Sequence, residues 1–176
     1  MKALPSQEYL NECFTYNPES GELFWKARPR HHFVQVDGFT RSLQKAGREA
    51  GWSNSFGYKK VKIGTKAFMV ARIIWKMVYG TDPEQVDHIN GDRCDNRLGN
   101  LRNVNNQENS KNRAKSRNNT TGYMGVGWIK GMDKWSSVIT DNGKVLWLGR
   151  HDTLFEAVAA RVSAENALGY HTNHNR

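Results

Sequence analysis

Cysteine is nearly absent from this chain, with only Cys13 and Cys94 present and no paired spacing between them. That excludes a disulfide framework and speaks against a structural zinc site, which normally needs four ligands at short spacings. No apolar run is long enough to cross a bilayer. The N-terminus carries no signal pattern, so the protein is expected to stay in the cytoplasm and off membranes. Acidic residues are outnumbered by basic ones, 17 against 26, and 26 − 17 = +9. A surplus of this sign suits a polyanion partner through counterion release, although a merely soluble basic protein shows it too. The length of 176 residues allows one or two small domains.

The most informative stretch is residues 86–109. A carboxylate sits beside an imidazole (Asp87, His88), Asn100 follows His88 by twelve residues, and Asn109 comes nine later. Mg²⁺ takes oxygen ligands and keeps several waters, so the Asp87 carboxylate and the Asn109 amide oxygen suffice as the protein's share. A histidine near its reference pKa can take a proton from water at neutral pH. On an extended backbone His88 and Asp87 point to opposite faces, so one can work on water while the other holds the cation. That is the minimum equipment for hydrolysing a phosphodiester.

These residues resemble the HNH endonucleases, in their phage-borne and homing branch. The shared pattern is an Asp-His pair, an Asn-Gly turn, an Asp-Asn-Arg-Leu-x-Asn-Leu-Arg run and a helix bearing Asn or His. Here it reads Asp87-His88, Asn90-Gly91, Asp95-Asn96-Arg97-Leu98-Gly99-Asn100-Leu101-Arg102 and Asn109. The resemblance implies a ββα-metal fold over about 84–113. It implies His88 as general base, Asp87 and Asn109 as ligands of Mg²⁺ or Mn²⁺, and Asn100 as a brace for the loop backbone. One departure stands out: many relatives carry His-Arg-Leu upstream, where this chain has Ala71-Arg72-Ile73.

Before the motif, Ser6–Phe14 reads as a short helix with Ser6 as cap, and Glu22–Lys26 as a strand. Residues 27–50 show no clear period. Tyr58–Ile63 and Lys66–Val70 form a hairpin turning at Gly64-Thr65. Val70–Tyr79 is apolar on most faces and stops at Gly80, so it reads as a core helix backing the motif. Strands are expected to end at His88 and to cover Leu101–Val104, with a helix from about Asn106 to Arg113. His31-His32 lies in the featureless stretch and reads as loop decoration rather than as metal ligands. Cys94 falls inside the motif loop and reads as incidental, because magnesium does not seek thiols.

Residues 111–121 hold no apolar side chain larger than alanine, and their four cations (Lys111, Arg113, Lys115, Arg117) have no acid within the stretch. This is a basic linker, either a solvated tether or a strap along phosphates. Residues 122–176 form a second module: strands at Tyr123–Lys130, Lys134–Thr140 and Lys144–Arg150, a hairpin at Asp141-Asn142-Gly143, and a capping box at Thr153–Glu156. A helix follows, with Phe155, Val158, Ala159 and Val162 read as its inward stripe. His171 and His174 lie in a polar terminal tail read as loosely packed.

Gly122-Tyr123-Met124-Gly125-Val126, Lys134-Trp135, Trp147-Leu148-Gly149, Glu156-Ala157 and Ala159-Ala160 resemble the Apetala / ethylene-response-factor type of DNA-binding domain. That resemblance implies a three-stranded sheet laid in the major groove, which is wide enough to admit strands. Alternation places Trp135, Ser137, Ile139, Leu146 and Leu148 toward the helix, and Ser136, Val138, Thr140, Val145, Trp147 and Arg150 toward DNA. Where plant relatives use arginines, this chain has Met124, Gly127, Val138 and Val145, which leaves Lys130, Lys134, Lys144, Trp147 and Arg150 as contacts. Trp147 could instead be a core aromatic.

The expected whole is an α+β protein with three parts. An HNH nuclease domain covers 1–110, a basic linker 111–121, and a sheet-reading module 122–176. It would cut double-stranded DNA at an extended site as a monomer, within a phage-infected cell. The rival reading is a non-catalytic DNA-binding regulator on the same scaffold. An RNA-directed nuclease is a weaker third, since no base-stacking platform is evident.

Overall fold

The computed structural model describes residues 3–105, 108–109, 111, 115 and 118–170. The chain divides into two compact units, Met1–Val104 and Asn105–Arg176. The expected positions Arg113, Arg117, His171 and His174 lie outside the described residues.

The first unit starts with helix α1, Gln7–Cys13, whose cap is Ser6: its side chain accepts from the Tyr9 amide. Burial of Leu10 and Cys13 turns one face of α1 inward. The chain runs directly into strand β1 (Phe14–Asn17), which pairs antiparallel with β2 (Glu22–Trp25). Strands β3 (Trp52–Ser53), β4 (Lys59–Ile63) and β5 (Lys66–Met69) form an antiparallel sheet in that order. Helix α3, Val70–Tyr79, follows β5 without a loop and ends at Gly80, whose φ of 75° is the left-handed cap geometry that glycine adopts without a Cβ penalty. Although apolar nearly all round, α3 buries one side, through Val70, Ala71, Ile73 and Ile74. These pack with Leu10, Phe14, Leu23, Val61, Phe68 and Leu101 into one core.

Residues 27–50 are more regular than their sequence suggests. A 3₁₀ turn covers Arg30–His32 and helix α2 covers Val36–Lys45. Among α2's residues only Ser42 is buried, while Val36 and Leu43 are exposed. Val36, Phe39 and Leu43 recur at helical spacing, a period the sequence reading missed in this short, largely polar stretch.

Strand β6 (Gln85–His88) pairs with β7 (Leu101–Val104), placing Asp87 opposite Arg102 and His88 opposite Leu101. After β7, the second unit opens on a reciprocal cap. The Asn105 amide donates to Glu108 Oε2 at 2.9 Å, and the Glu108 amide to Asn105 Oδ1 at 2.8 Å. Glu108 and Asn109 are helical, and the Asn109 amide bonds Asn105 O.

The second unit then builds an antiparallel sheet from β8 (Val126–Ile129), β9 (Lys134–Asp141) and β10 (Lys144–His151), with β9 central. Asn142 and Gly143 turn the β9–β10 hairpin with φ of 50° and 75°. Helix α4, Leu154–Ala167, carries the Thr153–Glu156 capping box.

The inward stripe of α4 differs from the expected one. Phe155 is 81% exposed and Val162 is also exposed, whereas Ala157 and Arg161 are buried. The helix sits close to the sheet on alanine. It inserts the Arg161 guanidinium, which donates to Val138 O and pairs with Glu165 at 2.7 Å. A hydrophobicity stripe cannot find a face built from alanine and a paired arginine.

The sheet also departs from strict alternation. The β9–β10 register shifts between Trp147 and Gly149, leaving Leu148 as the extra residue of a bulge. Ser137 and Ile139 are buried, but Leu146 is exposed rather than core. Arg150 has the parity of Leu146, so its expected place beside Trp147 does not follow from alternation; it rests on the bulge, which pairs Arg150 with Ser136 on the face of Val138.

Candidate active site

The site in the first unit grows out of the β6–β7 hairpin and the loop between its strands. His88 ends β6 and is buried. Its Nε2 lies 3.1 Å from Asn96 Oδ1. Asn96 is itself buried, and its Nδ2 donates to Cys94 O at 3.1 Å, which fixes the amide with its oxygen toward the histidine. An amide oxygen only accepts, so His88 Nε2 carries the hydrogen and a neutral ring keeps its lone pair on Nδ1. A single asparagine therefore sets the tautomer in which His88 can receive a proton at Nδ1. The Tyr58 ring stands 6.0 Å away, centroid to centroid.

Asp87 meets Arg102 across the ladder. Both Nε and Nη2 of Arg102 donate to Asp87 Oδ2, at 2.9 and 2.7 Å. The pair is largely shielded from solvent, which strengthens it.

Asn100 ties the loop to the hairpin. Its Oδ1 accepts from the Asn90 amide and its Nδ2 donates to Asp95 O, both at 2.8 Å. The Ile89 amide donates to Asn100 O at 2.8 Å. These bonds satisfy backbone groups that the turn would otherwise strand. Within the loop, Asn90 Oδ1 caps the Asp92 amide and Asp92 Oδ1 caps the Cys94 amide. Asp95 takes Arg97 on both carboxylate oxygens, and this guanidinium holds its carboxyl down to about 2.

The rest of the first unit clamps this loop. Tyr16 OH accepts from the Leu98 amide at 2.9 Å and donates to Asn96 O at 3.2 Å. Arg93 donates to Phe56 O at 2.8 Å, and Cys94 Sγ to Gly57 O at 3.0 Å. Cys94 thus has a structural contact within the loop. At Gly21, φ is +76° and a Cβ would stand 2.5 Å from Arg97 N, so only glycine lets the β1–β2 turn approach the loop this closely.

Of the residues singled out by sequence, the first unit brings Asp87, His88 and Asn100 onto one hairpin and its loop. Asn109 lies in the second unit, exposed in the first turn of its capped helix. The sequence reading missed Asn96, Arg102, Tyr16 and Tyr58. Arg102 had a signal, since it lies opposite Asp87 once the hairpin register is drawn. Tyr16 and Tyr58 had none, because they reach the loop from distant elements.

The basic residues of the second unit differ in what holds them. Lys111 donates to Leu168 O at 2.7 Å, lies 3.3 Å from Asp141 and stands over the Tyr170 ring. Lys134 pairs with Asp152. Lys115, Lys130, Lys144 and Arg150 are exposed. Trp147 is 57% exposed on the sheet face away from α4, so it is not a core aromatic.

Residues 68–111 match the HNH endonuclease family. A second similarity is to Protein 3.8 of Escherichia phage T7, 34% identical over 73 residues. It covers 40% of this chain and 60% of that protein, so the chain spans less than two thirds of its relative's length. No solved structure matches the chain. The family match ends at residue 111, and no comparison supports the Apetala / ethylene-response-factor resemblance expected of residues 122–176. Among the described residues, no helix is long and apolar enough to cross a membrane. The chain therefore carries an HNH endonuclease domain at 68–111 and is similar, over part of its length, to a phage protein.

Proposed function

We propose that the protein is a metal-dependent DNA endonuclease that hydrolyses phosphodiester bonds in duplex DNA, of the homing or free-standing phage kind. The observation that carries this reading is the His88–Asn96 hydrogen bond within the matched region, which selects the tautomer a general base needs. His88 Nδ1 takes a proton from the attacking water. Asn100 positions His88 indirectly, by holding the loop that carries Asn96.

Asp87 would hold the divalent cation within the first unit, and Asn109 stays the second ligand that the motif resemblance implies. Their donors are oxygens, the class that Mg²⁺ and Mn²⁺ accept, so the donor chemistry fits. Such a cation, when bound, stabilises charge on the scissile phosphate and the leaving oxygen. Arg102 occupies Asp87 Oδ2 and would share that carboxylate with the cation or turn to a phosphate.

In the second unit, the outer sheet face lies against DNA, with Trp147 and Arg150 on that face, Lys130 and Lys144 as contacts from the strand ends, and Lys134 as a paired neighbour. Lys111 and Lys115 belong to the basic segment leading into it, as do Arg113 and Arg117. Two binding units on one chain raise affinity for a long site.

The test is incubation of supercoiled plasmid with protein and Mg²⁺ or Mn²⁺. Chelator-sensitive nicked circles are expected, and His88→Ala should cut at least about 10²-fold more slowly while binding DNA as before. The occupied carboxylate of Asp87 favours a second reading, a DNA-binding regulator that does not cut. Binding without nicking in either metal would support that regulator and overturn the endonuclease.

A further inference from the structure

His31 and His32, which read as loop decoration, converge on Glu12 from a different element. The last turn of α1 presents Glu12, and the 3₁₀ turn Arg30–His32 presents both histidines. His32 Nε2 lies 2.5 Å from Glu12 Oε2, and His31 Nε2 lies 3.7 Å from the same oxygen. One ligand atom from each residue falls within 4.8 Å of the others. We propose that Glu12, His31 and His32 form a binding site for one zinc-type transition-metal cation, outside the endonuclease motif.

The donor set decides the metal class. Two imidazoles and one carboxylate suit zinc and its neighbours, whereas magnesium and calcium take oxygen alone. Ligands of one tetrahedral zinc, at about 2.0–2.1 Å each, lie about 3.4 Å apart. The His31–Glu12 separation is already close to that. The His32–Glu12 separation must open by somewhat less than about 1 Å, which a carboxylate at the end of a partly exposed side chain can do.

His32 is pre-set for the role. Its side chain is 2% exposed and its ring stacks on Tyr9, with centroids 4.3 Å apart. Its other nitrogen, Nδ1, lies 3.9 Å from Cys13 Sγ. A ligating Nε2 requires the hydrogen on Nδ1, where the sulfur can accept it, the outer support that metal-bound histidines generally have. His31 is 71% exposed, so the fourth position opens to solvent. The bound cation would clip the segment leading into α2 onto α1.

The experiment uses full-length, chelator-stripped protein titrated with Zn²⁺ by calorimetry and with Co²⁺ by visible absorption. The protein also carries Asp87→Asn, so that metal at the endonuclease motif is not counted. Glu12→Gln and His31→Ala are then added, singly and together; both positions are solvent-exposed, and thermal unfolding checks the fold. One zinc per chain is expected, with affinity falling by at least about 10- to 100-fold in the double variant, the range lost when a supporting residue is removed. Equal zinc uptake with and without these two changes would overturn the proposal, as would a cobalt spectrum that they leave unaltered. Neither result depends on whether the protein cuts DNA.

Discussion

At the scale of single residues, the feature with the sharpest consequence is the amide facing His88. Asn96 accepts from Nε2 and is locked by its own bond to Cys94 O. Replacing it separates orientation from chemistry. Asn96→Ala removes the acceptor and strands buried partners, costing about 1–3 kcal/mol of stability. Asn96→Asp keeps an acceptor but adds a negative charge beside the ring. An adjacent carboxylate favours imidazolium, so the His88 pKa should rise and the base should be lost at a higher pH. The acid limb of the nicking rate profile is then expected to move up by about 1–3 units, with DNA affinity at neutral pH unchanged. If the profile of Asn96→Asp overlays that of the unaltered protein, His88 is not the titrating base.

At the scale of elements, the two units differ in how well the chain announces them. The core helix α3, the β4–β5 hairpin and the Ser6 and Thr153 caps follow from apolar runs, a Gly-Thr turn and hydroxyl-bearing cap residues. The site loop was legible in part, because Asn90, Asp95 and Asn100 are turn and brace residues whose bonds are local. What escaped depends on distant partners or on small side chains. Tyr16 reaches Leu98 across 82 positions. Helix α4 is the clearest case, and its two candidate faces can be told apart. Ala157→Leu should overpack the sheet contact and cost about 1–3 kcal/mol. Phe155→Ser should change stability by no more than about 0.5 kcal/mol, because a largely exposed ring has little packing to lose. Chemical denaturation of the two variants checks this, and the reverse order would restore the stripe inferred from hydrophobicity.

At the scale of the whole molecule, a net charge of +9 supplies affinity for DNA but does not say which cations deliver it. Binding to a polyanion releases counterions, so log K falls with log salt by about 0.9 for each phosphate neutralised. A lysine already paired inside the protein gives up that pair to reach a phosphate and contributes less than an exposed one. Lys111 is held by Leu168 and Asp141, and Lys134 by Asp152, whereas Lys144 and Arg150 are exposed on β10. Lys144→Ala and Arg150→Ala are each expected to shallow the salt dependence by about one unit of slope. Lys111→Ala and Lys134→Ala should shallow it by clearly less. Fluorescence anisotropy on a labelled duplex between low and physiological salt measures all four. His88→Ala serves as the control, since a proton acceptor neutralises no phosphate and its slope should match that of the unaltered protein. Equal slopes for Lys134→Ala and Lys144→Ala would mean that the Lys134–Asp152 pair opens on DNA, and exposure in the free protein would then not identify the contacting residues.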